Sequence, residues 1–175
     1  MKQSQPMQLL TSRTTTEWYT PPWLIELAKE VLGAFELDPA SAPMPQTWIQ
    51  ASRFYTKEEN GLSLPWHGRV WLNPPFDNSA IWARVLINEY LAGNVHSAIL
   101  LINSNLGYKW YEEIWEKWLC CCLRERVAFV NETGWSGAAA KRAQTIVYLG
   151  QDKRKFAMTF AKYGRIIQPD EKSAS

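Results

Sequence analysis

Residues 70–76, Val-Trp-Leu-Asn-Pro-Pro-Phe, end an apolar stretch on a stiff polar corner. Two successive prolines lack N–H donors and hold φ near about −65°, so a strand that begins near Val70 cannot continue past Asn73. Acceptor oxygens on the Asn73 side chain and on the Asn73 and Pro74 carbonyls then lie beside the Phe76 ring. Such acceptors can bind both hydrogens of a planar aromatic amine and localise its lone pair, while the base stacks on Phe76. An ordinary strand-ending turn is the alternative.

Asp38 ends a second short apolar stretch, Ala34–Asp38, which we predict to be a strand. Ligands of α/β proteins lie at the carboxyl ends of parallel strands, where a carboxylate accepts hydrogen bonds from a ribose or an amino group. Asp38 is therefore a candidate binding residue, and a simple turn residue is the alternative.

The segment before this strand predicts a helix with an open amino terminus. Apolar residues recur at helical spacing over 23–32, and Gly33 ends the pattern. Thr20 is the predicted N-cap and Pro21 lies in the first turn. The free N–H groups and positive dipole of that helix start suit a carboxylate ligand, although a capped surface helix is equally consistent with the pattern.

Strands and helices alternate over the following residues, which predicts an α/β fold with a mostly parallel sheet and helices on both faces. Further helices are predicted over 47–52, 81–91 and 108–118, and further strands over 53–56, 70–72, 97–103, 120–122, 127–130 and 143–149. Phe156–Phe160 and Gly164–Ile167 are predicted to form a C-terminal antiparallel hairpin. Most of the ten tryptophans fall on apolar helix faces, including Trp23, and Trp66 and Trp71 are base-stacking candidates by their position.

Residues 133–142, Thr-Gly-Trp-Ser-Gly-Ala-Ala-Ala-Lys-Arg, break this alternation with small, basic and aromatic residues. Trp135, Ser136, Lys141 and Arg142 are candidates to contact a flipped base or its phosphates. An irregular connection without function is the alternative.

Composition gives the expected organisation of the chain. We expect a mobile arm over 1–16, a single domain over 17–168 and an unstructured tail over 169–175 of the 175 residues. The N-terminus lacks a signal peptide and no aliphatic run is long enough to span a membrane, so we expect a cytoplasmic protein. Cys120, Cys121 and Cys122 are consecutive and suit a buried strand, and two histidines give no metal-ligand spacing.

Positive charge is concentrated in the C-terminal third of the sequence. Residues 1–118 carry nine Lys and Arg against twelve Asp and Glu, whereas residues 119–175 carry ten against five. A polyanion would therefore be met mainly by the C-terminal third, although a solvated basic surface explains the charge equally well.

Three motifs together resemble the phage and prophage DNA N6-adenine methyltransferase family of the Dam type. They are Thr-Pro-Pro at 20–22, Asp-Pro-Ala-Ser at 38–41, and the stretch from Phe54 through Asn-Pro-Pro-Phe at 73–76. The resemblance covers roughly residues 17–168. The cofactor motif of such enzymes usually reads Asp-Pro-x-x-Gly-x-Gly, and both glycines are missing here.

The resemblance implies a Rossmann-like fold that binds S-adenosylmethionine and methylates adenine N6 in double-stranded DNA after flipping the base. It implies that Asn73, Pro74, Pro75 and Phe76 hold the target base. It also implies a cofactor site made of Tyr19, Thr20 and Pro21 with Asp38, Pro39, Ala40 and Ser41.

Other functions remain consistent with these residues. The same chemistry on cytosine N4, an RNA base or a protein glutamine is open, as is a nucleic-acid-binding module without catalysis. Because little chain is left for a recognition domain, we expect short or relaxed sequence specificity, or help from a second subunit such as a homodimer.

Overall fold

A seven-stranded sheet organises the residues that the computed structural model describes, which are 18–131, 137 and 140–169. The strands are β1 (Leu37–Asp38), β2 (Arg53–Phe54), β3 (Gly68–Leu72), β4 (Val95–Asn103), β5 (Leu119–Leu123), β6 (Gln144–Leu149) and β7 (Gly164–Ile167). The helices are α1 (Pro22–Leu32), α2 (Gln46–Ile49), α3 (Ser79–Leu91), α4 (Lys109–Lys117) and α5 (Lys153–Phe160). Single 3-10 turns lie at Gly61–Ser63 and Phe76–Asn78.

Five of the seven strands run in the same direction. The order across the sheet is β2-β1-β3-β4-β6-β5-β7, and β2, β1, β3 and β4 are parallel neighbours. Strand β6 is antiparallel to both β4 and β5, so β5 points the same way as β4, and β7 is antiparallel to β5. The fold is a mixed, mostly parallel Rossmann-like α/β fold, which confirms the predicted class.

Alternating residues of the central strands build a separate apolar core on each face of the sheet. In β4, Ile99 and Leu101 join the core beneath α1 and α5, whereas Leu100 and Ile102 join the core beneath α3 and α4. This period of two, with apolar residues on both sides, is the pattern of a strand covered by helices on both faces. The predicted three-layer arrangement is confirmed.

The predicted C-terminal hairpin is wrong in its first strand, because Phe156–Phe160 belongs to helix α5. Asp152 caps that helix by accepting a hydrogen bond from the Lys155 N–H at 3.0 Å. Phe156 and Phe160, four residues apart, are fully buried on one helix face. Strand β7 exists as predicted, but it pairs with β5 instead.

Val127–Val130 is not a strand, although the sequence predicted one. A single isolated bridge joins Val130 to Tyr19, with N–H···O distances of 2.7 and 2.9 Å. Val127 is held by its own bonds, since its N–H donates to the Gln144 amide oxygen at 2.8 Å and its carbonyl accepts the Ala140 N–H at 2.9 Å. Because the segment lacks a continuous ladder, its fixed position depends on these individual bonds.

Two of the predicted organisational segments lie outside the described residues, namely the arm over 1–16 and all but the first residue of the tail. Among the helices of the described part, none is both long and apolar enough to cross a bilayer.

Candidate functional site

A cavity of about 630 Å³ opens at the carboxyl ends of β1 and β3. Four stretches line it: 18–20 before α1, 38–42 after β1, residues of 56–62, and 73–76 after β3. Strand order explains why the stretches after β1 and β3 lie side by side. The two strands are parallel neighbours, so their carboxyl ends reach the same edge of the sheet. We call the walls formed by 18–20 and 38–42 the Asp38 side, and the wall formed by 73–76 the Asn73 side.

All four predicted catalytic residues line this cavity. Strand β3 ends at Leu72, one residue before Asn73, as the prolines require. The Asn73 Oδ1 atom is buried and has no hydrogen-bond partner within the described residues. Pro74 is buried, whereas Pro75 and Phe76 are exposed. A buried acceptor without a donor is costly, so this oxygen is available to accept a hydrogen bond from a group in the cavity.

The Phe76 ring is supported from one side by Phe129. Their ring centroids are 5.6 Å apart in an edge-to-face arrangement, with 67° between the ring planes. Phe129 is 6% exposed and Phe76 is 39% exposed, so one face of the site ring remains open. Nothing in the sequence indicated this role for Phe129. The two rings are more than fifty residues apart in the chain, and Phe129 lies in an irregular stretch.

Thr20 lies in the wall of the cavity and does not cap helix α1, contrary to the prediction. Pro21 occupies the N-cap position and makes no side-chain cap, and the helix starts at Pro22. The Thr20 side chain is 1% exposed, and its Oγ1 atom has no partner among the residues described here. Its hydroxyl is therefore free to bind a ligand. Tyr19 also lines the cavity, whereas buried Pro21 lies behind the lining.

Asp38 is held in place through one carboxylate oxygen only. Its Oδ2 atom accepts a hydrogen bond from the Gln46 side-chain amide at 2.8 Å, and the same nitrogen donates to Ser41 Oγ at 2.8 Å. The Gln46 amide oxygen in turn accepts the Ala51 N–H at 2.9 Å. The other carboxylate oxygen, Oδ1, is buried and unpartnered over the described ranges. Asp38 thus lines the cavity with its side chain anchored through Oδ2 and with a second carboxylate oxygen left without a partner among the described residues.

Burial sets the charge state of Asp38. The side chain is 2% exposed, and this desolvation raises the pKa of Asp38 to about 6, although the polar groups of Ser41, Ala40 and Gln46 oppose the shift. Gln46 was missed by the sequence analysis, whose predicted helical turn began one residue after it. Its amide has no distinguishing pattern in the sequence, and its role comes from the folding of the 39–46 loop.

The loop after Asp38 lacks the expected glycines, and Gly61 from another segment packs against it. Pro39, Ala40, Ser41 and Ala42 all line the cavity. A Cβ atom on Gly61 would come within 2.0 Å of the Pro39 carbonyl oxygen. The position therefore admits only glycine, and it lets the 56–62 segment pack directly on the loop.

The 56–62 segment lines the cavity with residues other than its two glutamates. Thr56, Lys57, Asn60, Gly61 and Leu62 face the site, whereas Glu58 and Glu59 are exposed and do not line it. Glu59 accepts the Thr56 N–H at 2.8 Å and so holds the turn of this segment.

Two tryptophans beside the motifs are core residues. Trp66 and Trp71 are each 1% exposed, and the Trp66 indole N–H donates to the Gly61 carbonyl at 2.7 Å. The prediction that they stack on bases is therefore wrong for Trp66, while Trp71 contributes only to the cavity wall. Trp23, predicted to be in the core, is 45% exposed and stacks on Tyr163.

The predicted nucleic-acid contacts lie only partly within the described residues. Lys141 and Arg142 are exposed, precede β6 and do not line the cavity. They lie at the same carboxyl edge as Asn73, because β6 runs antiparallel to β4 and starts where β4 ends. Trp135 and Ser136 lie outside the described residues.

The cysteines and histidines do not form a site. Burial raises the pKa of the Cys120 and Cys121 thiols, so both behave as apolar groups of β5. Across the part of the chain that the structure describes, no group of three or more His, Cys, Asp and Glu side chains is arranged to hold a metal ion.

A mostly parallel α/β sheet with a ligand-sized cavity at the carboxyl ends of its strands defines a Rossmann-like binding protein. The chain belongs to the DNA N-6-adenine-methyltransferase (Dam) family, whose family model matches residues 9–167.

Two further comparisons add little to this assignment. No curated protein matches the chain. One solved structure with a similar chain path is described as a dimethyladenosine transferase from Plasmodium falciparum. It shares 11% identity and a TM-score of 0.43, and the match covers 83% of this chain and 67% of that one.

Proposed function

We propose that this protein transfers a methyl group from S-adenosylmethionine to the N6 amino group of adenine in double-stranded DNA. Family membership supports the reaction class. The observation that carries the proposal is a set of three buried oxygens, on Thr20, Asp38 and Asn73, that have no partner among the described residues and line one cavity. Among the buried side-chain nitrogens and oxygens of the described residues, only one other, Trp115 Nε1, lacks a hydrogen-bond partner, and Trp115 does not line the cavity.

The Asp38 side fits the cofactor in size and chemistry. The cavity that this side shares with the Asn73 side has a volume of about 630 Å³, within the range of pockets that bind small molecules and cofactors. Thr20, with Tyr19 and Pro21 at the start of α1, would hold the cofactor's carboxylate near the positive end of the helix. The Oδ1 atom of Asp38 would accept hydrogen bonds from a ribose hydroxyl or the ammonium group. Pro39, Ala40 and Ser41 would form the remaining wall.

The Asn73 side fits the target amine. When bound, S-adenosylmethionine supplies a methyl group that its positively charged sulfur already activates. Asn73 Oδ1 and the Pro74 carbonyl would accept the two amino hydrogens and so orient the nitrogen lone pair. Phe76 would stack on the adenine ring. Asn73 has no useful pKa, so it acts by orientation, and the proton released from the amine passes to solvent.

A duplex hides the adenine amino group, so the proposal requires that the base flips out of the stack. We propose short or relaxed sequence specificity, with pairing of two subunits as the alternative route to a longer site. Methylation mapping that returned a long, strictly read site from a monomer would contradict this. We propose that the protein acts in the cytoplasm.

The decisive experiment is transfer of labelled methyl from S-adenosylmethionine to unmethylated duplex DNA, followed by digestion to nucleosides. Label in N6-methyladenine would establish the function. Label in N4-methylcytosine, or in RNA or protein alone, would redirect the same site to another amine. A folded protein that transfers no label, and whose melting temperature does not rise with millimolar S-adenosylhomocysteine, would be a binding module without catalysis.

A further inference from the structure

The loop that follows β4, residues 104–108, lies at the same edge of the sheet as the cavity. Strands β3 and β4 are parallel with Leu72 opposite Leu100, and β4 continues to Asn103 after β3 has ended. At about 3.3 Å per residue, those extra residues carry the start of the loop roughly 10 Å past the end of β3. A duplex that presents a base to Asn73 would therefore approach the edge that carries this loop.

The loop presents two large apolar side chains to solvent. Leu106 is 66% exposed and Tyr108 is 58% exposed. Gly107, between them, has a φ of +85°, and no heavy atom lies within 4 Å of the position its Cβ would occupy. The turn is therefore shaped by its own backbone and stands clear of its neighbours on that side.

Hydrogen bonds fix the start of the loop to residues 142–143, which precede strand β6 at the same edge of the sheet. The Ser104 N–H donates to the Ala143 carbonyl at 2.8 Å, and Arg142 Nη1 donates to the Asn105 side-chain oxygen at 3.2 Å. The Tyr108 N–H closes the turn on the Asn105 carbonyl at 3.2 Å. The two ends of the loop are therefore fixed while its tip is exposed, which suits a side chain that enters a DNA duplex.

Exposed cations lie at the same edge of the sheet as this apolar tip. They are Lys109, Arg126, Lys141 and Arg142, and the exposed acids Asp77, Glu112, Glu113 and Glu125 lie at that edge too. Both ion pairs found among the described residues lie elsewhere, Glu26 with Lys29 and Arg69 with Glu36. An apolar tip that shares its edge with cations outside any such ion pair matches a duplex, whose phosphates bind the cations and whose base stack can accept an apolar side chain.

We propose that loop 104–108 is the duplex-contacting wedge of this enzyme and that Leu106 enters the space left by the flipped base, flanked by Tyr108. This inference rests on the proposed function. Unstacking a base costs a few kcal/mol, and a side chain that fills the gap offsets part of that cost only when the target is paired. Leu106 therefore assists with duplex DNA and is dispensable for a base that is already unpaired.

The test compares Leu106→Ala with wild-type protein on two substrates that carry the same adenine within randomised flanking sequence. One is a fully paired duplex, and the other is the single strand. We expect kcat/KM to fall about tenfold on the duplex and to stay within about twofold on the single strand, because only the duplex requires the wedge. A duplex with an abasic site opposite the adenine should restore most of the lost rate.

Leu91→Ala is the matched control. Leu91 is 70% exposed at the end of α3, on the opposite edge of the sheet, and its loss should leave both substrates unaffected. An unchanged rate of Leu106→Ala on the duplex would overturn the wedge while leaving the proposed function intact. Equal losses on both substrates would overturn it too, as would a changed oligomeric state, which would assign Leu106 to a contact between copies. Absence of methyl transfer to any DNA by the wild type would instead refute the proposed function.

Discussion

The two sides of the cavity differ in how far they are enclosed. On the Asp38 side only Trp18 is exposed, at 43%, while Thr20 and Asp38 are 1% and 2% exposed; on the Asn73 side both Pro75 and Phe76 are exposed, Phe76 by 39%. A small ligand can be surrounded almost completely, but a base that stays attached to a polymer must enter through an open face. The contrast matches the two substrates of the proposed reaction, and each side should respond differently to substitution.

Asn73→Ala should have the largest effect on the rate of methyl transfer, and it should leave cofactor binding on the Asp38 side unchanged. Removing an oriented polar group that stabilises a transition state typically costs about 10²- to 10³-fold in kcat. We expect a loss of that size in methyl transfer, with the dissociation constant for S-adenosylhomocysteine unchanged within about twofold. Steady-state kinetics and calorimetry measure the two quantities separately.

Asn94→Ala is the matched control for that experiment. Its side chain donates to Glu89 at 2.7 Å on the opposite edge of the sheet, far from the cavity. If Asn73→Ala weakened cofactor binding as strongly as it reduced the rate, the two sides would not be separate and the account of Asn73 would be wrong.

Hydrophobic periodicity and strand-ending residues were sufficient to predict most of the fold. The alternation in β4 and the proline corner after β3 act through neighbouring residues, so the sequence reveals them directly. Residues 156–160 were mispredicted because Phe-Ala-Met-Thr-Phe suits either a strand or a helix turn. The choice is settled by the Asp152 cap and by packing on α1, where Thr159 donates to Glu30 at 2.9 Å across more than a hundred residues.

The candidate site divides in the same way. Asp38 ends strand β1 and Asn73 follows strand β3; both were predicted from these flanking strands, and both line one cavity. Gln46, Gly61 and Phe129 act through tertiary contacts with residues distant in the sequence. Each has an ordinary local context, so only the fold reveals that they hold Asp38, Pro39 and Phe76 in place.

The open Asn73 side should depend on salt through Lys141 and Arg142. If each contacts a phosphate, replacing both with glutamine should lower the slope of log K for DNA against log salt by about two. Affinity should fall about tenfold at low salt, uniformly across sequences. Lys153→Gln with Arg154→Gln, exposed cations at the start of α5 on the opposite edge, is the matched control. A slope that does not change would remove both residues from the DNA contact.

The enclosed Asp38 side should instead depend on pH. Burial raises the pKa of Asp38 to about 6, and the proposed hydrogen bonds from the cofactor require the carboxylate. Affinity for S-adenosylhomocysteine should therefore fall by about tenfold between pH 8 and pH 5, as Asp38 takes up a proton. Calorimetry in buffers of different ionisation enthalpy would detect that proton.

Asp38→Asn separates binding from stability on this side. The folded-state pKa lies above the unfolded value, so the favourable contribution of Asp38 is present below about pH 4 and is lost as the pH rises through 6. The neutral variant should melt at a higher temperature than the wild type at pH 8 when no cofactor is bound. It should also bind S-adenosylhomocysteine weakly and without pH dependence. A variant that kept the pH profile would show that another group titrates.

Phe129→Leu should have the smallest effect, and it tests whether the two sides are joined. Phe129 contacts Phe76, and the next residue, Val130, pairs with Tyr19 on the Asp38 side. Loss of an edge-to-face aromatic pair costs about 0.5–1.5 kcal/mol, so kcat/KM should fall roughly two- to tenfold. In a Phe76→Ala background the same substitution should cost less than about twofold, because Phe129 acts through that ring. Phe160→Leu, equally buried in α5, should lower the melting temperature without lowering kcat/KM. Additive losses in the double variant would show that Phe129 supports the enzyme only as part of its core.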